Sequence, residues 1–242
     1  MIPAVVPLFL VAVGVVALLG AVAVLRSFGP GYRLARLLAT TPAAPVDEAI
    51  GLAGGPRPRY VKVTGRIDAE DEFEDDRHRP LVYRRRRLEV LDRRRWRALD
   101  DHREAVAFAI RDGLSAIAVD TDELADGLIV IPRDSVGVAS DARDRIPSEI
   151  ADATPIRLRI EQVSSVEHAI VLGVPVAGPD GGAILTAGAD RPLVLTTLEQ
   201  PEAMRLLAGG GRRRPVLASA LLAIAGAGVV VGLLWALVGG VR

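Results

Sequence analysis

Residues 106–119 read VAFAIRDGLSAIAV, and this stretch decides what kind of fold the middle of the chain adopts. Val106, Phe108 and Ile110 alternate with alanines, which is the period of two expected of a half-buried β-strand. Arg111-Asp112-Gly113 then supplies a turn before a second apolar run. The stretch therefore predicts a β-hairpin with Phe108 on its buried face.

The same signature recurs through residues 57–208, which we predict to be one all-β domain of barrel or sandwich type. Ile156, Leu158 and Ile160 alternate with charged residues, as in a strand that is buried on one face. Nine or ten short strands are expected, and one short helix at Glu199–Leu207 closes the domain. The other β-rich runs, each bounded by Gly, Pro or Asp, are 60–67, 81–91, 128–131, 170–177, 183–185 and 193–196.

Two apolar runs without charge flank this domain and predict an integral membrane protein. Each exceeds the roughly 20 residues that a helix needs to cross about 30 Å of hydrocarbon. We expect transmembrane helices at 2–25 and 215–241, a juxtamembrane segment and linker at 26–56 with a short helix at 46–52, and a basic linker at 209–214. A cleaved signal peptide is the alternative for the first run, and a buried core helix for the second.

The arginines next to these runs predict their orientation. Arg26, Arg33 and Arg36 follow the first run and 212–214 precede the second, whereas only Arg242 lies beyond them. Positive charge near helix ends tends to stay cytoplasmic. We therefore expect a multi-pass protein of the cell membrane, with external termini, a cytoplasmic central domain and the lipid bilayer as a partner.

Gly228 and Gly232 form a GxxxG pattern within the second run. This spacing lets helix backbones approach closely, so the two glycines are candidate helix-packing residues. The pattern also arises by chance in runs rich in Gly and Ala. Pairing with the first run, or with another copy in a homo-oligomer, is the functional interpretation.

Composition excludes several kinds of chemistry. The chain has 30 basic and 30 acidic residues and no cysteine, which excludes disulfides, Cys-bound zinc, iron–sulfur clusters and thiol catalysis. His78, His102 and His168 are far apart and lack a ligand spacing such as HExxH, and no GxSxG or phosphate-binding glycine motif occurs. We therefore assign no catalytic, cofactor-binding or metal-binding residue, and we expect no cofactor and no enzymatic activity.

Arginines crowd residues 84–97 around Tyr83 and Trp96, a mixture that also suits single-stranded nucleic acid. Six carboxylates lie within 70–76 and could face these arginines across a strand pair. A solvated hairpin of balanced charge is then the simpler interpretation, and with zero net charge we expect no nucleic acid as a partner. A protein or an anionic lipid could contact the candidate interaction surface, which consists of Arg84, Arg86, Arg95 and Trp96.

The order of these parts resembles the GIDE domain, also called the BAM (beside-a-membrane) domain, of mitochondrial E3 ubiquitin ligases of the MULAN type and of prokaryotic membrane proteins. The resemblance covers about residues 57–241. The residues that carry it are Val61-Lys62-Val63-Thr64-Gly65, Arg79-Pro80-Leu81-Val82-Tyr83, Trp96, Phe108-Ala109-Ile110-Arg111-Asp112-Gly113, Ala118-Val119-Asp120, Val166-Glu167-His168-Ala169-Ile170, Gly173, Val174, Val176, Gly178 and the run 193–196.

This resemblance implies a membrane-anchored interaction or scaffold domain, with other membrane proteins as partners. The ligases of the family carry a RING finger whose zinc needs Cys and His ligands. The chain has no cysteine, so a ubiquitin-protein transferase activity, although suggested by the family, is not expected here. A module that binds a small ligand or an anionic lipid is the alternative function.

Overall fold

The computed structural model describes residues 5–26, 30–124, 126–208, 219–228 and 230. The chain divides into two compact units. One is Leu37–Met204, and the other combines Met1–Arg36 with Arg205–Arg242.

Short strands dominate the larger unit. The helices of the described chain are α1 (Val5–Arg26), α2 (Pro30–Thr40), α3 (Val46–Leu52) and α4 (Gln200–Ala208), with a 3-10 segment at Ala139–Arg145. Its strands are β1 (Val61–Asp68), β2 (Phe73–Glu74), β3 (Pro80–Asp92), β4 (Arg95–Ala105), β5 (Ala109–Asp112), β6 (Ser115–Val119), β7 (Leu128–Ile129), β8 (Arg133–Val138), β9 (Pro155–Ser164), β10 (His168–Ala177), β11 (Ala183–Thr186) and β12 (Val194–Thr196).

The unit formed by the chain ends contains α1 and the helical residues 219–228. Ala17 and Ala21, one turn apart on α1, are buried. A methyl group added at Gly20 would lie 3.6 Å from Leu221 Cδ1, so the two helical segments contact each other at this point. Small side chains at the contact allow this close approach.

No helix among the described residues is both long enough and apolar enough to cross a membrane. The prediction of transmembrane helices at 2–25 and 215–241 is therefore wrong, and so is the multi-pass cell-membrane location with a cytoplasmic domain that followed from it. Of 215–241, the structure describes residues 219–228 and 230. Apolar composition alone does not distinguish a spanning helix from one that packs against protein.

The first sheet has seven strands, in the order β1-β5-β6-β11-β10-β12-β7. β1 also pairs antiparallel with β10, from Val61↔Gly173 to Arg66↔His168. Five strands consequently close into a ring. Odd-numbered residues of β1 are buried inside this ring, whereas the even-numbered residues are more exposed on its outer face.

The interior of the ring holds the main apolar core. Phe108 is 4% exposed, and Ile110 and Ile117 of the hairpin that follows are fully buried. The prediction that Phe108 lies on the buried face is confirmed. Other members of this core are Val61, Val63, Ile67, Val82, Tyr83, Val119, Leu124, Val163, Val171, Leu185, Leu193 and Leu195.

The second sheet is organised around the long strand β3. One edge of β3 pairs with β9, beyond which lies β8, and the other edge pairs with β2 and then β4. A small apolar cluster covers one end of this sheet, where Leu88, Val90 and Ile156 pack with Ala139 and Ile146.

Lys62, the only lysine, connects β1 to the segment before it and to α4. Its main-chain N–H donates to Pro42 O, and its carbonyl accepts from Ala44 N, both at 2.9 Å. Its ammonium donates to Leu38 O at 3.4 Å and to Gln200 Oε1 at 3.0 Å. The predicted strand position of Lys62 is confirmed.

The β-rich interpretation of 57–208 agrees with the strands observed, and the helices predicted at 46–52 and 199–207 correspond to α3 and α4. β4 and β8 were not among the predicted β-rich runs, although a hairpin was one interpretation of residues 84–97. β4 and β8 carry polar residues on both faces and therefore lack the alternation by which a half-buried strand is found.

Replacing Phe108 by Ala should lower the free energy of unfolding by about 3–5 kcal/mol, because the buried ring leaves a cavity. Phe73 is the matched control. Its half-buried ring lies 5.3 Å from the Arg84 guanidinium carbon, so Phe73→Ala should cost about 1 kcal/mol or less. Urea unfolding of the full chain, followed by circular dichroism, measures both losses. Equal losses would contradict the placement of the main core inside the ring.

Candidate interaction surface

The second sheet carries the residues that sequence reasoning selected, and its two faces differ. Consecutive residues of β3 point to opposite faces. We call one face the ion-pair face; it carries Arg85, Arg87 and Glu89. We call the other the mixed face; it carries Arg84, Arg86, Leu88 and Val90.

Arg85 is the most buried cation of the ion-pair face, at 5% exposure. Its Nε donates to Asp101 Oδ1 at 2.8 Å and its Nη2 to Asp101 Oδ2 at 2.6 Å, while Nη1 donates to Asp126 at 3.3 Å. The hydrogen bonds to Asp101 raise the pKa of Arg85 and hold the pKa of Asp101 below its usual range. Both groups are therefore ionised at neutral pH.

The other cations of this face also have carboxylate partners. Arg87 donates to Glu161 at 3.0 Å. Arg157 donates to Glu89 at 2.8 Å through Nε. Arg159 lies 3.3 Å from Asp134. The face is thus internally neutralised and presents no excess positive field to a polyanion.

These carboxylates come from the strands themselves and not from the acidic stretch 70–76, which sequence reasoning placed opposite the arginines. Within that stretch, Asp75 accepts hydrogen bonds from the Arg79 side chain at 2.8 and 2.5 Å and from the main-chain N–H groups of Arg77 and Arg79. These bonds lower the pKa of Asp75. Its carboxylate stabilises the turn between β2 and β3.

The β3–β4 hairpin turns through two arginines. Arg93 and Arg94 have φ of 43° and 71°, and φ is positive at both central residues of a type I′ turn. Such turns usually contain Asn or Gly, so these arginines hold a backbone conformation that side chains disfavour. The turn directs Arg95 into solvent at the tip of the hairpin.

The four predicted surface residues do not form one patch. Arg84 and Arg86 are even-numbered residues of β3, and Arg95 on β4 lies opposite Asp92, so these three residues share the mixed face. Trp96 pairs with Leu91 and therefore lies on the ion-pair face. Arg84 is neutralised by Glu104 at 2.6 Å. Neither Arg86 nor Arg95 has an ion pair within the described part of the chain. The Arg157 guanidinium carbon lies 4.6 Å from the centre of the Trp96 ring.

The outer edge of β8 is a feature that sequence reasoning missed. β8 pairs with β9 on one side, and no other strand of the described chain pairs with it. Val138 N–H donates to Asp141 Oδ2 at 2.9 Å, whereas Ala139 N–H donates to Thr154 O on the β9 side. Because these directions alternate along a strand, the N–H of Val136 points outward, like that of Val138.

The pair Gly228 and Gly232 cannot be placed as a helix contact. Gly228 ends the described helical residues 219–228, and Gly232 lies outside the described residues.

Two tyrosines of the larger unit, Tyr60 and Tyr83, are buried. Burial raises the pKa of Tyr60 to about 12 and also raises the pKa of Tyr83. Tyr60 donates its hydroxyl proton to Pro192 O at 2.6 Å, and Tyr83 donates to Leu124 O at 3.3 Å. Each phenol is held protonated as a structural donor to a main-chain carbonyl.

The histidines are exposed and separate. His78 lies 2.6 Å from Glu74, which raises the pKa of its imidazole. His102 is on the second sheet and His168 on the first. Over the residues that the structure describes, no group of three or more His, Asp or Glu side chains is arranged to hold a metal ion.

No family model, no curated protein and no solved structure matches this chain. The resemblance to the GIDE domain stays a prediction.

Replacing Asp101 by Asn should lower the free energy of unfolding by about 2 kcal/mol at pH 7, because buried Arg85 would lose the charge and one of the two acceptor oxygens of Asp101. The folded-state pKa of Asp101 is depressed, so its contribution is present above the unfolded pKa of about 3.9 and is lost as the pH falls through the folded value. Denaturant unfolding at pH 7 and at pH 3 measures this difference.

Asp100→Asn is the matched control, since Asp100 makes an exposed pair with Arg145 at 3.6 Å. The loss on replacing Asp100 should be about 1 kcal/mol or less. A loss at Asp101 no larger than the loss at Asp100 would contradict the role given to the pair of Asp101 with buried Arg85.

Proposed function

We propose that this chain is a non-catalytic interaction protein that binds an extended segment of a partner protein along the outer edge of β8. The partner segment extends the second sheet by one strand. Main-chain hydrogen bonds supply affinity in this kind of recognition, and side chains beside the edge supply specificity.

The exposed edge of β8 is the observation that carries this proposal. Val136 is 67% exposed and Val138 is 37% exposed, on a strand whose outer side has no partner strand in the described chain. Natural sheets usually protect such edges with lysine, proline or a bulge. Val138 N–H donates to Asp141, whereas within the described chain the outward N–H of Val136 has no such partner.

The side chains next to this edge suit a protein partner. Val136 pairs with Arg157, so it shares the ion-pair face with Trp96. Glu89 fixes the Arg157 guanidinium, which in turn covers the Trp96 ring. Tryptophan and arginine held in a fixed position are typical of the residues that dominate binding energy at protein interfaces.

The mixed face is less suitable as the main contact. Arg84 is already paired with Glu104, and Leu88 and Val90 are covered by the small apolar cluster. Among the predicted surface residues, Trp96 is the one that lies on the same face as the edge we propose. The contribution of Arg86 and Arg95 stays a prediction.

Replacing Val136 by Asp should abolish partner capture, because it places a charge where a strand would dock. Val136→Pro should do the same by removing the outward N–H while leaving the ladder to β9 intact, as proline is tolerated at sheet edges. Affinity purification with the full chain as bait, followed by amide hydrogen exchange of β8 with the captured partner, measures both effects.

Leu114→Asp is the matched control, since Leu114 is fully exposed at the turn between β5 and β6. It introduces the same charge at another apolar surface position and should leave capture unchanged. A partner retained equally by the Val136 variants, or one that gives no exchange protection at β8, would show that this edge is not the binding site.

A further inference from the structure

A cavity of about 290 Å³ opens on the outer face of the closed ring. This volume is near the lower limit of about 300–1,000 Å³ for small-molecule sites. The side chains that give the cavity its chemistry are Arg66, Asp68, Glu72, Arg111, Ser165 and Val166.

Two arginines, Arg66 and Arg111, lie side by side in the wall of this cavity. Arg66 on β1 is the register partner of Arg111 on β5, and its other neighbour, on β10, is His168. Side chains directly opposite on neighbouring strands lie close together, and like charges there are destabilising. The ring therefore contains a like-charge pair that lowers the stability of the folded chain.

Within the described chain, only one of the two arginines has an ion pair. Arg111 donates from Nε to Asp68 Oδ2 at 2.9 Å and from Nη2 to the same oxygen. Arg66 has no ion pair in the part of the chain that the structure describes. Its guanidinium is therefore available to an anionic group that enters the cavity.

Ser165 adds a second unsatisfied group. It is 7% exposed, and within the described chain its buried hydroxyl has no hydrogen-bond partner. A buried hydroxyl without a partner is costly, and rotation about one side-chain bond redirects it. Ser165 lines the cavity, so a rotation that turned its hydroxyl into the cavity would let it donate to an oxygen atom of a ligand.

Glu72 supplies the opposite charge. With Asp68 engaged by Arg111, the charges not neutralised inside the cavity are one cation, Arg66, and one anion, Glu72. A dianion such as phosphate would be repelled by Glu72. A ligand that carries one carboxylate and one ammonium group matches both charges.

We propose that this cavity binds a small zwitterion of the α-amino acid class. The Arg66 guanidinium accommodates the carboxylate in the two-pronged geometry that arginine favours, and the Ser165 hydroxyl donates to the same group. Glu72 accepts from the ammonium. This site is separate from the β8 edge. It would add the binding of a small molecule to the proposed binding of a partner protein.

Calorimetric titration of the full chain with each of the standard α-amino acids tests the proposal. At least one should bind saturably, and the deaminated acid and the decarboxylated amine of that amino acid should each bind more weakly. Arg66→Gln should weaken amino-acid binding at least tenfold. Glu72→Gln should weaken binding of the amino acid but not of the deaminated acid.

Arg57→Gln is the matched control, because Arg57 is an exposed arginine of the linker, and it should bind as the wild type does. Without ligand, Arg66→Gln should raise the thermal unfolding midpoint slightly, since it removes the like-charge pair, whereas a structural role of Arg66 would lower the midpoint. Absence of saturable binding by every amino acid, unchanged binding by Arg66→Gln, or a lowered midpoint of that variant would overturn the proposal.

Discussion

The antiparallel pairing of β1 with β10 is the constraint on which the rest of the structure depends, because it turns an open sheet into a closed ring. Closure pairs β1 on both sides and gives five strands a common apolar interior. A ring this narrow requires close approach of its backbones. A methyl group at Gly65 would lie 2.5 Å from Arg111 O, and one at Gly173 would lie 2.9 Å from Thr186 O. A Cβ atom does not fit at either position, so glycine is needed there for space and not for a turn conformation.

Closure also determines which charges are left without a partner. In the second sheet, Arg85, Arg87 and Arg157 each face a carboxylate supplied by the same sheet or by a loop beside it, which agrees with the zero net charge of the chain. In the ring, the register places Arg66 opposite Arg111, and the carboxylate of Asp68 pairs with Arg111. The register therefore leaves Arg66 without an ion pair in the described chain.

Sequence reasoning could predict the parts of this fold in which burial is periodic. The hairpin around Phe108 and strand β9 were found because apolar residues alternate there, whereas β4 and β8 were missed because both of their faces are polar. The arginine surface was found by composition, but its partners were not, since a carboxylate such as Asp101 meets Arg85 only through the strand register. A single sequence does not specify strand register, so the pairing of Arg66 with Arg111 beside the cavity could not be predicted either.

Three departures from local rules lie at the two sites we propose. An exposed valine on an open edge, two like charges in register and a buried hydroxyl without a partner each raise the free energy of the folded chain. Val136 contributes the first, Arg66 with Arg111 the second and Ser165 the third. A docked strand would cover the valine, and a bound carboxylate would satisfy both the arginine and the serine. On the two proposals, binding would remove these costs, which nothing in the described fold removes.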